Sequence, residues 1–93
     1  MRIDKKIYTL DTVLSLEYGD IILQLEKMAD VKVDLFFSLL GLDRNSDEFN
    51  LITIQCHYLQ INIDVFLEAL DIKEKNLVRS INLKGNEYQL SLN

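Results

Sequence analysis

Ninety-three residues, 48% of them hydrophobic, make one domain and leave no room for a second. Leu, Ile, Val and Phe together supply 36 residues, too many for a disordered chain, yet no apolar run approaches the roughly 18 residues that a membrane span needs. The net charge of -5 is uneven: residues 14–72 carry eleven acids against three bases, whereas both termini are net positive, so the acidic middle should repel nucleic acid and suit a basic protein surface.

Ile7, Tyr8, Thr9 and Leu10 suit a short N-terminal strand, because β-branched and aromatic residues favour the pleated state. From Leu16 the period changes. Ile21, Ile22, Leu25, Met28 and Ala29 recur at helical spacing, with Glu17, Asp20, Glu26 and Lys27 off the stripe. The pattern continues through Val33, Phe36 and Leu40, so Ile21 to Leu42 is either one bent helix or two helices with a turn near Asp30 to Asp34. Gly41 reads as its stop, since glycine enters the left-handed conformation without steric cost. The polar stretch Asp43 to Glu48 makes the joint, with Asn45 or Ser46 as a cap.

Beyond the joint, Ile52, Cys56, Leu59, Ile63, Phe66 and Leu70 step by 4, 3, 4, 3 and 4, and Ile54, Tyr58, Ile61 and Val65 form a second stripe beside them. A break near Asn62 would divide this segment too, giving four shorter helices in all. A face this broad suits self-association through the six-residue seam, the candidate interface of a homo-oligomer and a dimer first of all, or through the stripe beside it. Slid by thirty residues, the two segments echo each other, Phe36 falling on Phe66 and Asp34 on Asp64.

The C-terminal segment reads as a β-hairpin. Gly85 and Asn86 form a two-residue turn, after which Lys84 faces Glu87, Leu83 faces Tyr88 and Ile81 faces Leu90, like with like or charge with counter-charge. The expected fold is therefore α+β: a single domain over 1–93, mainly helical, built on an antiparallel helical pair with a C-terminal hairpin and a short N-terminal strand.

Catalytic chemistry is not legible. His57 is the lone histidine, and its neighbour Cys56 points about 100° away on a helix, so the two cannot act as nucleophile and base. One histidine with one acid, Asp64, is no metal site, and no phosphate loop or cysteine pair accompanies the acids. We expect no enzyme, no metal and no cofactor. The lone cysteine and the lack of an apolar leader point to the cytoplasm. The candidate acidic surface is Glu17, Asp20, Glu26, Asp30, Asp47 and Glu48.

Leu16-Glu17-Tyr18-Gly19-Asp20-Ile21-Ile22 leading into Leu25-Glu26-Lys27, then Leu39-Leu40-Gly41-Leu42, Asp47-Glu48-Phe49-Asn50-Leu51-Ile52-Thr53 and Leu59-Gln60, resemble the helical body of small tail assembly chaperones of tailed phages, over about half of the chain. The resemblance implies a binding protein that shields an aggregation-prone component and has no catalytic residues to transfer. The expected function is protein binding, as an assembly chaperone or adaptor holding an apolar segment of a partner. Two alternatives stand beside it: a small acidic inhibitor of the phage or mobile-element type that fills a basic groove on a host protein, and a regulator of helix-turn-helix type. The latter lacks a helix with clustered basic and amide side chains.

Overall fold

The computed structural model describes the backbone of residues 2–92 and the side chains of residues 2–81. Three helices follow one another: α1 (Leu10–Leu14), α2 (Tyr18–Leu39) and α3 (Asp47–Leu92). α1 and α3 begin where a side chain satisfies one of the first free N–H groups, whereas Glu17 before α2 makes no such bond. Thr9 is extended and its hydroxyl accepts from the Thr12 N–H at 3.3 Å, which starts α1. Ser46 does the same for α3, its hydroxyl accepting from the Phe49 N–H at 3.1 Å, with Asp47 and Glu48 placed where the helix dipole favours negative charge.

α2 ends at Leu39, earlier than the sequence pattern implies. Its last turn tightens through the Leu40 N–H to Phe37 carbonyl and Leu42 N–H to Leu39 carbonyl bonds, both 3.2 Å. Gly41 has no positive φ, so the expected left-handed stop is not made. The chain then turns on Asp43, whose carboxylate accepts from the Asn45 N–H and whose carbonyl accepts from Ser46.

α2 packs against α3 in the opposite direction: Lys32 donates to Gln60, and Tyr18 at the start of α2 donates to Glu74 at 2.9 Å. α3 has 46 residues against the 22 of α2, so it runs well past its partner and spans the 65 Å length of the molecule. The inward stripe of α2 is Ile21, Leu25, Met28, Lys32, Leu35 and Leu39, all buried or half-buried. Neither α2 nor α3 is broken, at Asp30 to Asp34 or at Asn62.

α1 closes the core. Val13, Ile21, Phe66 and Ala69 form a fully enclosed cluster, the methyl of Ala69 letting α1 approach α3 closely, with Tyr8, Leu14 and Met28 among the side chains around it. Burial of the Phe66 ring should contribute about 1.5–3 kcal/mol, and the Tyr8 ring meets its edge at 5.1 Å between centroids with the planes 85° apart.

The expected β element is corrected: among the described residues there is no strand, and the fold is all-α. Residues 2–9 form neither helix nor strand: the Asp4 N–H and carbonyl, the Lys6 carbonyl and the Tyr8 N–H bond side-chain amides of α3, and the Lys6 N–H bonds the Asp4 carboxylate at 3.0 Å, so they offer no edge for a sheet. α3 continues helically through Gly85 and Asn86 to Leu92, where the hairpin turn was expected. With no third strand, an isolated hairpin is marginal, whereas continuing α3 satisfies each backbone group locally. The one glycine in that stretch costs only about 1 kcal/mol relative to alanine.

Candidate functional site

Two features of the surface could act on other molecules. The first is the slot on α3 that holds the N-terminal segment. Gln55 and Asn62 are over nine-tenths buried and two helical turns apart on one face. The Gln55 carbonyl oxygen accepts from the Asp4 N–H at 2.7 Å while its amide nitrogen donates to the Asp4 carbonyl at 3.1 Å. Asn62 likewise accepts one bond and donates one, but to two residues that flank Ile7: it accepts from the Tyr8 N–H at 3.0 Å and donates to the Lys6 carbonyl at 2.8 Å. Seven helical residues advance about 10.5 Å, which three extended residues match at about 10 Å, so helix and strap stay in register while running the same way. Both amides are thereby satisfied, and among the described residues no buried side-chain polar atom lacks a partner.

The second feature is apolar. On the outward face of α2, Leu23, Glu26, Asp30, Val33, Phe37 and Leu40 recur at 3 and 4 and are all exposed. Phe37 is 67% and Leu40 81% accessible, values at which a large apolar side chain has almost no intramolecular cover. With Val33 and Phe36 they line a shallow groove near the joint, and a neighbouring groove adds Leu42, Arg44 and Phe49. Residues 30–48 carry five acids against Lys32 and Arg44, but the charged groups at the grooves themselves are basic: Arg44 lines the second, and the Lys32 ammonium lies 5.4 Å from the centroid of the Phe36 ring. At the other end of the molecule, where α3 has outrun α2, Leu77, Val78 and Ile81 are more than half exposed.

The expected interface residues lie elsewhere. Ile52, Cys56 and Phe66 are buried within the chain and Leu59, Ile63 and Leu70 are half-buried, because α2 covers one side of α3 while the strap and α1 cover the other. From the second stripe, Ile54 and Ile61 are exposed. The six acids are all exposed but do not converge: Glu17 and Asp20 stand at the start of α2, Asp47 and Glu48 at the start of α3, and Glu26 and Asp30 between them on the outward face. Val13, Gln55 and Asn62 were not anticipated. The signal that could have found the last two is their seven-residue spacing, continued by Ala69, inside an otherwise apolar helix.

Titratable groups give little chemistry. His57 is exposed, lining with Lys32 and Cys56 a groove between α2 and α3. Burial pushes the Cys56 thiol up and outweighs the opposing pull of Lys32, so the thiolate is disfavoured. The hydrogen bond to Glu74 holds the Tyr18 phenol above its ordinary value. Among the described residues no three His, Cys, Asp or Glu side chains converge to hold a metal, and no helix is long and apolar enough to cross a membrane.

Compared with protein-family models, curated proteins and solved structures, the chain matches none.

Proposed function

We propose that the chain is a non-catalytic interaction module, an adaptor or assembly chaperone, whose α2 groove takes an apolar segment of a protein partner flanked by basic residues. The observation that carries this reading is the exposure of Val33, Phe36, Phe37 and Leu40 as one apolar surface at the joint. A contiguous apolar surface on a chain this small is a common mark of a protein-binding site. The basic flanks follow from charge complementarity with the body as a whole, where residues 14–72 hold eleven acids against three bases. The likeness to small tail assembly chaperones, carried by Leu16 to Lys27 and Leu39 to Thr53, supports the chaperone form. It includes Leu40 of the groove.

An inhibitor filling a basic groove is the second reading, supported by the eleven acids of residues 14–72. Ionic strength separates the two, since an affinity resting on apolar contact changes little with salt, whereas one resting on exposed charge falls steeply. The deciding experiment is affinity capture with the wild-type chain beside Phe37→Ser and Leu40→Ser, each checked for native helicity by circular dichroism. A partner held by the wild type and lost by both variants supports the proposal. A partner retained undiminished by both contradicts it.

A further inference from the structure

The N-terminal strap is held in a manner that reads backbone rather than side chains. Gln55 and Asn62, both over nine-tenths buried, each present one acceptor and one donor to an extended segment. Such a pair recognises the N–H and C=O of any extended chain, as a sheet edge does, and leaves specificity to the few side chains that touch the helix. Here the principal one is Tyr8, whose ring packs edge-on against Phe66. Residues 2–9 carry Arg2, Lys5 and Lys6 against Asp4, a net of +2 laid on the acidic body. The strap is thus a basic extended peptide with one aromatic anchor.

It is also the least committed part of the fold. Arg2, Asp4, Lys5, Lys6 and Ile7 are exposed, and of the segment that the two amides hold only Tyr8 packs against the enclosed core of Val13, Ile21, Phe66 and Ala69. Few buried apolar contacts and a surface path place it among the elements that open before the whole chain unfolds. Opening exposes the two amides to water, and an extended segment that restores their four hydrogen bonds re-covers them in place of the strap.

We propose that the α3 slot framed by Gln55 and Asn62 is a binding site for an extended peptide backbone. The chain's own residues 2–9 fill it in the free protein, and a basic partner segment bearing an aromatic residue enters by displacing them. This rests on the reading of the chain as an interaction module and adds a second site to the α2 groove. The strap competes in cis, at an effective concentration on the order of millimolar, so occupancy by a partner is gated by release of the strap.

The test uses the full-length chain, labelled with nitrogen-15, and an acetylated, amidated synthetic peptide of residues 2–9. In the wild type, several millimolar peptide, on the order of the cis concentration, should move the Asp4 and Tyr8 backbone signals to unstructured positions. The side-chain amide signals of Gln55 and Asn62 should stay in place, because the incoming peptide repeats the same bonds. Tyr8→Ala, which weakens the strap, should bind a fluorescent form of the peptide at least about tenfold more tightly than the wild type. Methylating the Tyr8 nitrogen of the peptide removes the bond to Asn62 and should weaken binding by about tenfold. Plain and methylated peptides binding alike would overturn the proposal, as would strap signals that do not move in the wild type. If Tyr8→Ala fails to fold, the wild-type titration decides. A partner whose capture depends on Phe37 and Leu40 but leaves the strap signals unmoved would sink this inference while leaving the proposed function standing.

Discussion

Gln55 and Asn62 stand two turns apart on one face of α3, and both side-chain amides are spent on the backbone of a single extended segment, at Asp4 and at Lys6 and Tyr8. The helix thereby does for residues 2–9 what a neighbouring strand would do in a sheet. Replacing either amide strands backbone groups that the strap has turned away from water. Asn62→Ala should cost about 1–3 kcal/mol, read as a lower urea midpoint at unchanged slope. Asn62→Asp keeps the acceptor for the Tyr8 N–H but, when ionised, loses the donor to the Lys6 carbonyl, so it too should destabilise at neutral pH.

Phe66 and Leu67 are adjacent on α3, one 1% and the other 49% accessible. Phe66→Ala should therefore lose about 3–5 kcal/mol through lost burial and the cavity left behind. Leu67→Ala should stay within a kilocalorie of the wild type. Thermal unfolding of the pair measures the contrast directly, and equal losses would displace Phe66 from the core.

Cys56 is buried and its thiol is pushed up by that burial. Alkylation by iodoacetamide at pH 8 should be slow in the native chain and should accelerate on adding urea in step with unfolding. Because the folded thiol titrates higher than the unfolded one, its contribution to stability is full below the unfolded pKa and fades as pH rises through the folded value. Cys56→Ser should thus flatten the fall of stability on the alkaline side.

With Ile52, Cys56 and Phe66 of the heptad seam spent inside the chain, we propose the α2 groove as the face through which a second copy would compete with the partner segment. We expect light scattering at high micromolar concentration to show a dimer that Phe37→Ser converts to a folded monomer. Phe66→Asp should unfold the chain instead. A wild type that is monomeric at that concentration removes a second copy from the candidate occupants, leaving the apolar, basic-flanked partner.

Gly19 lies in the first turn of α2, and a methyl group added there meets nothing within 4 Å. Gly19→Ala should accordingly stabilise by about 0.5–1 kcal/mol, because the unfolded chain loses freedom that the helix never used. A drop in the melting temperature would show that the start of α2 is misplaced.

The helical body was legible because apolar side chains recur at 3 and 4 along both segments, and the polar run Asp43 to Glu48 marked the joint that Ser46 caps. Which face is inside was less so. Phe36 and Phe66 occupy equivalent points of the thirty-residue echo, yet Phe36 is half exposed and Phe66 enclosed. α3 is covered from two sides, by α2 and by the strap with α1, whereas α2 is covered from one. Gln55 and Asn62 escaped notice because a polar residue inside an apolar helix reads as a flaw, and here its partner is backbone more than fifty residues away. The hairpin failed for a related reason. Its pairing pattern was sound in itself, but a sheet needs a neighbour, and the segment that might have served is bound to α3.

The claim on which the rest depends is that α3 holds residues 2–9 by their backbone, and native-state hydrogen exchange at single-residue resolution tests it most directly. The Asp4 and Tyr8 amides lie outside any helix, yet both should exchange slower than an exposed peptide by roughly two orders of magnitude. The Tyr8 amide should lose that protection in Asn62→Ala. Exchange of both amides at the rate of an unstructured chain, while Ile52 to Leu70 remain protected, would contradict the strap and with it the slot on α3.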